Sequence, residues 1–206
     1  MLIGGYQPCS LCDYPGHVAA VIFTQGCNFR CPFCHNGALL PAAAPAECLV
    51  PVEDILDRLR HRRGQLDAAV VSGGEPTLHA DLPDLLARLK TLGFATKLDT
   101  NGSQPAMIRA LLRDKLLDYL AMDVKAPWAT YDAVTGVHAP TEAIRESMAL
   151  LARSGVPHAF RTTWVPTLLS RDDLAAIRGA IPPGSPYHLQ PFRAAAALDP
   201  RLRHAV

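Results

Sequence analysis

Apolar positions along the chain follow two alternating periods. Residues 18–24 form a continuous apolar run with β-branched side chains, as a strand buried on both faces requires. Val52, Ile55, Leu56 and Leu59 then recur at i, i+3, i+4 and i+7, which predicts a helix over 54–62. The alternation continues. Residues 68–71 predict a second strand. Leu82, Leu85, Leu86 and Leu89 predict a helix that stops at Gly93, and 95–98 predict a third strand. Ser103 and Pro105 are expected to open a helix carrying Met107, Ile108, Leu111 and Leu112, ahead of a fourth strand at 117–124. Ile144, Met148 and Leu151 mark a helix closed by Gly155, and 158–165 predict a fifth strand. Leu174 and Ile177 lie on a helix that Ser170 and Asp173 can cap, and 187–190 predict a short sixth strand.

Six β-α units with non-alternating apolar strands predict an α/β fold, a parallel sheet with outer helices. Periodicity leaves an open doubly wound sheet and a partial barrel as alternatives. Both place ligands at the C-terminal ends of the strands. No internal repeat is present. Residues 41–46, Pro-Ala-Ala-Ala-Pro-Ala, read as a loop, and the Ala-rich 193–198 as a tail or short helix.

Composition narrows the class. The 206 residues are 49% apolar and 19% charged, which suits one folded domain over 1–206. A net charge of +1 without a basic run argues against nucleic acid as a partner. His61-Arg62-Arg63 reads as the solvated end of a helix. The longest apolar stretch, 18–23, is too short for a bilayer, and residues 1–5 show no secretory leader, so a cytoplasmic protein is expected. In that compartment the six cysteines are read as ligands or buried side chains rather than disulfides.

Three of them lie in one loop after the first predicted strand, Cys27-x3-Cys31-x2-Cys34. Such a loop can wrap a soft metal centre, because thiolates select iron-sulfur, zinc or copper(I). A structural zinc site with His35 as fourth ligand is one reading. A four-iron cluster on three thiolates, leaving one iron open for chemistry, is the other. Cys9 and Cys12 form a second, sparser pair and are read as buried small side chains. Cys48 is isolated, and His17 follows the turn Tyr14-Pro15-Gly16 and reads as structural.

Polar motifs follow the later strands. In Ser72-Gly73-Gly74-Glu75-Pro76 the glycines allow close backbone approach to a ligand, and Glu75 can accept a bond from an ammonium group; the plain alternative is a tight turn. Asp99-Thr100-Asn101-Gly102 and Met122-Asp123-Val124-Lys125 read as caps or turns, or as ligand contacts. Arg161, inside an apolar strand, must meet an anion, in a structural ion pair or a ligand, or be exposed.

CxxxCxxC with Phe33 before the last cysteine, together with Gly73-Gly74-Glu75-Pro76, resembles the radical S-adenosylmethionine superfamily. The resemblance implies a partial (β/α)6 barrel, open laterally. It implies a [4Fe-4S] cluster on Cys27, Cys31 and Cys34 that cleaves S-adenosylmethionine to a 5′-deoxyadenosyl radical. It implies that Phe33, Gly73, Gly74, Glu75, Lys125, Arg161 and Gln190 contact S-adenosylmethionine. It also implies a monovalent cation at Asp99, Thr100, Met122 and Asp123. Segments 4–5, 13–16, 97–102, 121–127, 135–136, 160–166 and 189–192 extend the likeness to the glycyl-radical-enzyme activating branch. Within that branch they resemble the longer form of anaerobic ribonucleoside-triphosphate reductase activating proteins. The implied partners are an anaerobic ribonucleotide reductase and a flavodoxin or ferredoxin as electron donor. Where pyruvate formate-lyase activases carry a histidine near the last strand, this chain has Phe192-Arg193. The alternatives are a radical enzyme acting on another glycyl radical enzyme or on a small molecule, and a non-catalytic metal-binding scaffold.

Overall fold

The structure is a computed structural model and describes residues 1–204. Seven strands form one sheet in sequence order: β1 (Ile3–Ser10), β2 (Ala19–Thr24), β3 (Ala68–Gly73), β4 (Ala95–Thr100), β5 (Tyr119–Asp123), β6 (His158–Trp164) and β7 (Tyr187–Pro191). Strands β2 to β7 are parallel, and β1 runs antiparallel to β2. The helices are α1 (Val52–His61), α2 (Leu82–Thr91), α3 (Pro105–Arg113), α4 (Tyr131–Thr135), α5 (Thr141–Arg153) and α6 (Arg171–Ala180). They sit in the connections between consecutive parallel strands, as a crossover unit requires.

The apolar runs are continuous because the strands are covered on both faces. On one face Ala20, Ile22, Ala69, Val71, Leu98, Leu120 and Phe160 join Leu56, Leu86, Ile108 and Ile144 of the helices in the main core. On the other, Ala19, Val21, Ala68 and Val70 pack with Tyr14, against Phe23, Ala95 and Tyr119. A sheet with an apolar inner lining and helices outside is the mostly parallel, partial-barrel α/β arrangement expected. The register sets polar residues side by side at one rim. Phe23 pairs with Ser72, Asp99 with Ala121, Asp123 with Arg161, and Thr163 with Gln190.

Three expectations are corrected. Strand β1 was not anticipated, since Gly4, Gly5 and Pro8 are poor strand residues; it lies at the sheet edge, where they are tolerated. The Ala-rich stretch after the last strand holds a short 3-10 helix at Ala194–Ala196, one of the two readings open for it, and a second follows at Pro200–His204. Helix α4 is an additional short element. Ser103 does not cap α3, whose cap position is Gln104; its hydroxyl instead accepts a bond from Asn28 Nδ2 at 2.9 Å. The capping box on α6 is present in full, with Ser170 and Asp173 in reciprocal bonds.

Candidate active site

The cysteine loop leaves β2 and is held by its own surroundings. Gly26 N–H donates to Leu39 O at 2.7 Å, Cys27 N–H to Leu40 O at 3.2 Å and Arg30 N–H to Thr135 O at 2.8 Å. The Arg30 guanidinium donates back to the carbonyls of Cys27 and Phe29. Phe29 is buried edge-on to Tyr131, which stacks on Trp128, so α4 and the turn before it prop the loop from behind. Asn28, between the first two cysteines, accepts from Asn101 Nδ2 at 2.9 Å, while Asn101 N–H donates to Glu75 at 2.6 Å. Through Asn101 the loop is therefore tied to the turns after β3 and β4.

Cys31 is buried and Cys27 and Cys34 are half-buried. Burial pushes the Cys31 thiol up to about 12 and raises that of Cys27. Free thiols in this setting stay protonated, and a bound metal centre would deprotonate them. Among the described residues no three His, Cys, Asp or Glu side chains converge on a single-ion site. His35 stacks on Phe192 and accepts from Arg193 N–H at 3.4 Å. This geometry does not assemble the mononuclear zinc site. A four-iron cluster bound through separate irons needs three thiolates around one space rather than at one point, and the three cysteines border one cavity.

The glycine pair at the end of β3 is required by contacts within the chain, and both residues border the cavity. A Cβ on Gly74 would lie 2.0 Å from Gly26 O, and one on Gly73, whose φ is +123°, 2.2 Å from Thr24 N. The close approach to the end of β2 and the start of the cysteine loop lets Glu75 N–H reach Gly26 O at 2.8 Å. Glu75 is wholly buried and caps a 3-10 turn at Pro76–Leu78. Its Oε1 accepts from Thr77 N–H at 3.0 Å, Thr77 Oγ1 at 2.5 Å and Thr100 Oγ1 at 2.7 Å, and Oε2 accepts from Asn101 N–H. Burial raises the Glu75 pKa against the pull of these donors. A carboxylate has about four acceptor positions, so Oε2 keeps capacity for one more donor at the cavity wall.

The strand ends supply a charged floor. Arg161 on β6 donates from Nε to Asp123 at 2.9 Å and from Nη1 to Asp99 at 3.3 Å. Lys125 Nζ donates to Asp123 at 2.8 Å and lies 6.0 Å from the centre of the Phe33 ring. Burial would raise Asp123, yet Arg161 and Lys125 hold it well below the usual carboxylate range. Burial likewise opposes charge on Lys125 and Arg161, and the facing carboxylates outweigh it, keeping both cationic. Lys97, to which sequence reasoning gave no role, is buried to 2% exposure and paired with Asp99.

One cavity of about 440 Å³ is bordered by Cys27, Cys31, Cys34, Phe33, Gly73, Gly74, Glu75, Asp99, Thr100, Asp123, Lys125, Arg161 and Gln190. Residues from β2 through β7 can share one cavity only because the sheet curls around it. Met122 does not border it and is buried in the core. Asp13, His35, Asn101 and Arg193 border it as well. Cys9 and Cys12, expected buried, are exposed: Cys9 sits at the register shift between Gln7 and Ser10 of the edge strand and Cys12 in the loop beyond it; Cys48 is exposed too. His17 bonds Pro15 O and packs on Tyr14, a structural role as expected.

A curled parallel sheet carrying a three-cysteine loop against a charged cavity defines a metal-dependent α/β enzyme. The family model described as Radical SAM superfamily matches residues 21–178, and the chain belongs to that superfamily. A Methanocaldococcus jannaschii protein provisionally named a glycyl-radical enzyme activating enzyme is 34% identical over 98% of this chain and 84% of its own length. Two partial matches name different activities. The 7-carboxy-7-deazaguanine synthase of Halobacterium salinarum is 32% identical over 58% of this chain, and the pyruvate formate-lyase-activating enzyme of Staphylococcus aureus 33% over 55%. This chain spans 43% and 48% of those enzymes. Among solved structures, Streptococcus suis SuiB bound to S-adenosylmethionine shares the fold at a TM-score of 0.66 and 16% identity, over 84% of this chain and 40% of that one. The superfamily's cofactors, a [4Fe-4S] cluster and S-adenosylmethionine, are accordingly those of this chain, and no helix among the described residues is long and apolar enough to cross a membrane.

Proposed function

We propose that the protein is a glycyl-radical-enzyme activase whose partner is an anaerobic ribonucleotide reductase. The observation that carries the reading is the single cavity in which the cysteine loop faces Glu75, Lys125 and Arg161. The match to the Methanocaldococcus protein along nearly the whole chain supports the activase branch. Cys27, Cys31 and Cys34 would hold the cluster, and the soft donor set and the loop's fixed backbone suit it. When bound, the reduced cluster would supply one electron to the sulfonium of S-adenosylmethionine, whose C–S bond would break to give methionine and a 5′-deoxyadenosyl radical able to take a hydrogen atom from the substrate. The chain's own residues position and shield. Glu75 Oε2 accepts from the ligand's ammonium group, and Arg161 and Lys125 face its carboxylate. Phe33 and Gln190 border the remainder, with Gly73 and Gly74 holding the turn that presents Glu75. A glycine of the partner fits the demand for a backbone Cα–H without a side chain in the way. A flavodoxin or ferredoxin type protein would deliver the electron.

The partial match to a deazaguanine synthase favours a second reading, a small-molecule substrate in the same cavity. The two are separated by mixing the anaerobically reduced, cluster-loaded protein with S-adenosylmethionine and a candidate reductase. The activase reading predicts a glycine-centred doublet in the reductase's electron paramagnetic resonance spectrum. Abundant 5′-deoxyadenosine without any such signal across candidate glycyl radical enzymes would favour the small-molecule reading.

A further inference from the structure

Lys97 lies on β4 two residues before Asp99, on the strand face that looks into the barrel. Its register neighbours are Val70 on β3 and Tyr119 on β5, both in the inner apolar cluster. Only 2% of it is exposed, and its ammonium group reaches Asp99 from below the cavity floor. A buried lysine persists only where a partner offsets its desolvation. Asp99 is that partner, yet the same carboxylate also takes a bond from Arg161.

Charge arithmetic gives the arrangement a purpose. Lys97, Lys125 and Arg161 bring three positive charges to the two carboxylates Asp99 and Asp123. With Lys97 neutralising Asp99, the 3.3 Å contact from Arg161 to Asp99 is the weaker of that carboxylate's two pairings. The Arg161 guanidinium spends Nε on Asp123 and Nη1 on Asp99 and keeps Nη2. Among the described residues its Nη2 makes no hydrogen bond, while Arg161 borders the cavity. Within this five-residue cluster the cations outnumber the carboxylates by one, and Arg161 is the cation that turns a free donor to the cavity.

We propose that Lys97 is a positioning residue that acts as a tethered monovalent cation. It supplies from beneath the charge that Asp99 would otherwise draw from a dissolved alkali ion, and so leaves Arg161 free for the ligand's carboxylate. The inference rests on S-adenosylmethionine being the ligand. It places the site's electrostatics in the chain itself, in contrast to the cation expected at Asp99, Thr100 and Asp123. Those carboxylates are already paired, and Thr100 Oγ1 donates to Glu75 and accepts from Gly102 N–H.

The test is the S-adenosylmethionine affinity of the cluster-loaded protein in potassium, sodium and tetramethylammonium buffers of equal ionic strength. Wild type should bind equally in all three. Lys97→Met, which fills the same interior space without charge, should bind about tenfold more weakly in tetramethylammonium and recover in potassium or sodium. Wild-type binding that requires an alkali ion overturns the proposal, and this arm does not depend on whether the variant folds. Equal binding by Lys97→Met in tetramethylammonium also overturns it, leaving the lysine a structural role. Wild type that binds in no buffer overturns the ligand reading itself and this inference with it.

Discussion

Gly74 shows how a site motif is decided by contacts within the chain. Its Cα lies so close to Gly26 O that any side chain would displace the cysteine loop or the Glu75 turn. Gly74→Ala should therefore cost about 1–3 kcal/mol, the usual range for overpacking, read as a lower midpoint in chemical denaturation. Gly179 is an internal contrast. It lies in α6, and a Cβ there meets nothing within 4 Å, so Gly179→Ala should stabilise by about 0.5–1 kcal/mol. Equal effects from the two substitutions would show that the Gly74–Gly26 approach is not what constrains the motif. At this scale the sequence carried the three cysteines, Glu75, Asp99, Lys125, Arg161 and Gln190 to one cavity, because each lies within or just past a parallel strand and such strands share a rim. It did not reveal Lys97. A lysine on a strand reads as exposed, and only the curl of the sheet buries it under the cavity floor. For Met122 the resemblance implies a backbone contact, which the direction of its side chain does not decide. Strand residues alternate in direction, so Asp123 faces the cavity and Met122 the core.

The elements divide by how much of their cause is local. Helix α6 begins with a full capping box legible as Ser170-x-x-Asp173, and it forms. Ser170→Ala removes the hydroxyl that accepts from Asp173 N–H and should lower stability by about 1 kcal/mol, seen as a small fall in Tm with fold and ligand binding unchanged. No change in Tm would mean that packing of α6 alone sets its N-terminus. Strand β1 and helix α4 are held by tertiary contact. The former owes its place to pairing with β2, the latter to Tyr131 packed against Phe29 and Trp128. Neither has a strong period or cap of its own, so neither was legible in advance. Both bear on function. The loop after β1 brings Asp13 to the cavity, and α4 steadies the segment between Cys27 and Cys31.

In the whole molecule, a sheet in strictly sequential order curls until its polar rim encloses one cavity. The cysteine loop after β2 lies on the same space as the charged residues of β4, β5 and β6. Apolar lining inside and helices outside make that curl the way to bury both faces. The loop's hydrogen bonds to the turns after β3 and β4 fix the cysteines relative to Glu75. The central claim is that this arrangement performs reductive cleavage of S-adenosylmethionine. The most direct measurement is 5′-deoxyadenosine formation by the anaerobically reconstituted, reduced protein, compared with Cys31→Ala. The account predicts product from the wild type and a loss of at least about a hundredfold in the variant, together with its cluster absorbance, because only two thiolates would remain in the loop to hold a four-iron cluster. Product that persists in Cys31→Ala, or none from a fully loaded and reduced wild type supplied with its partner, would contradict it.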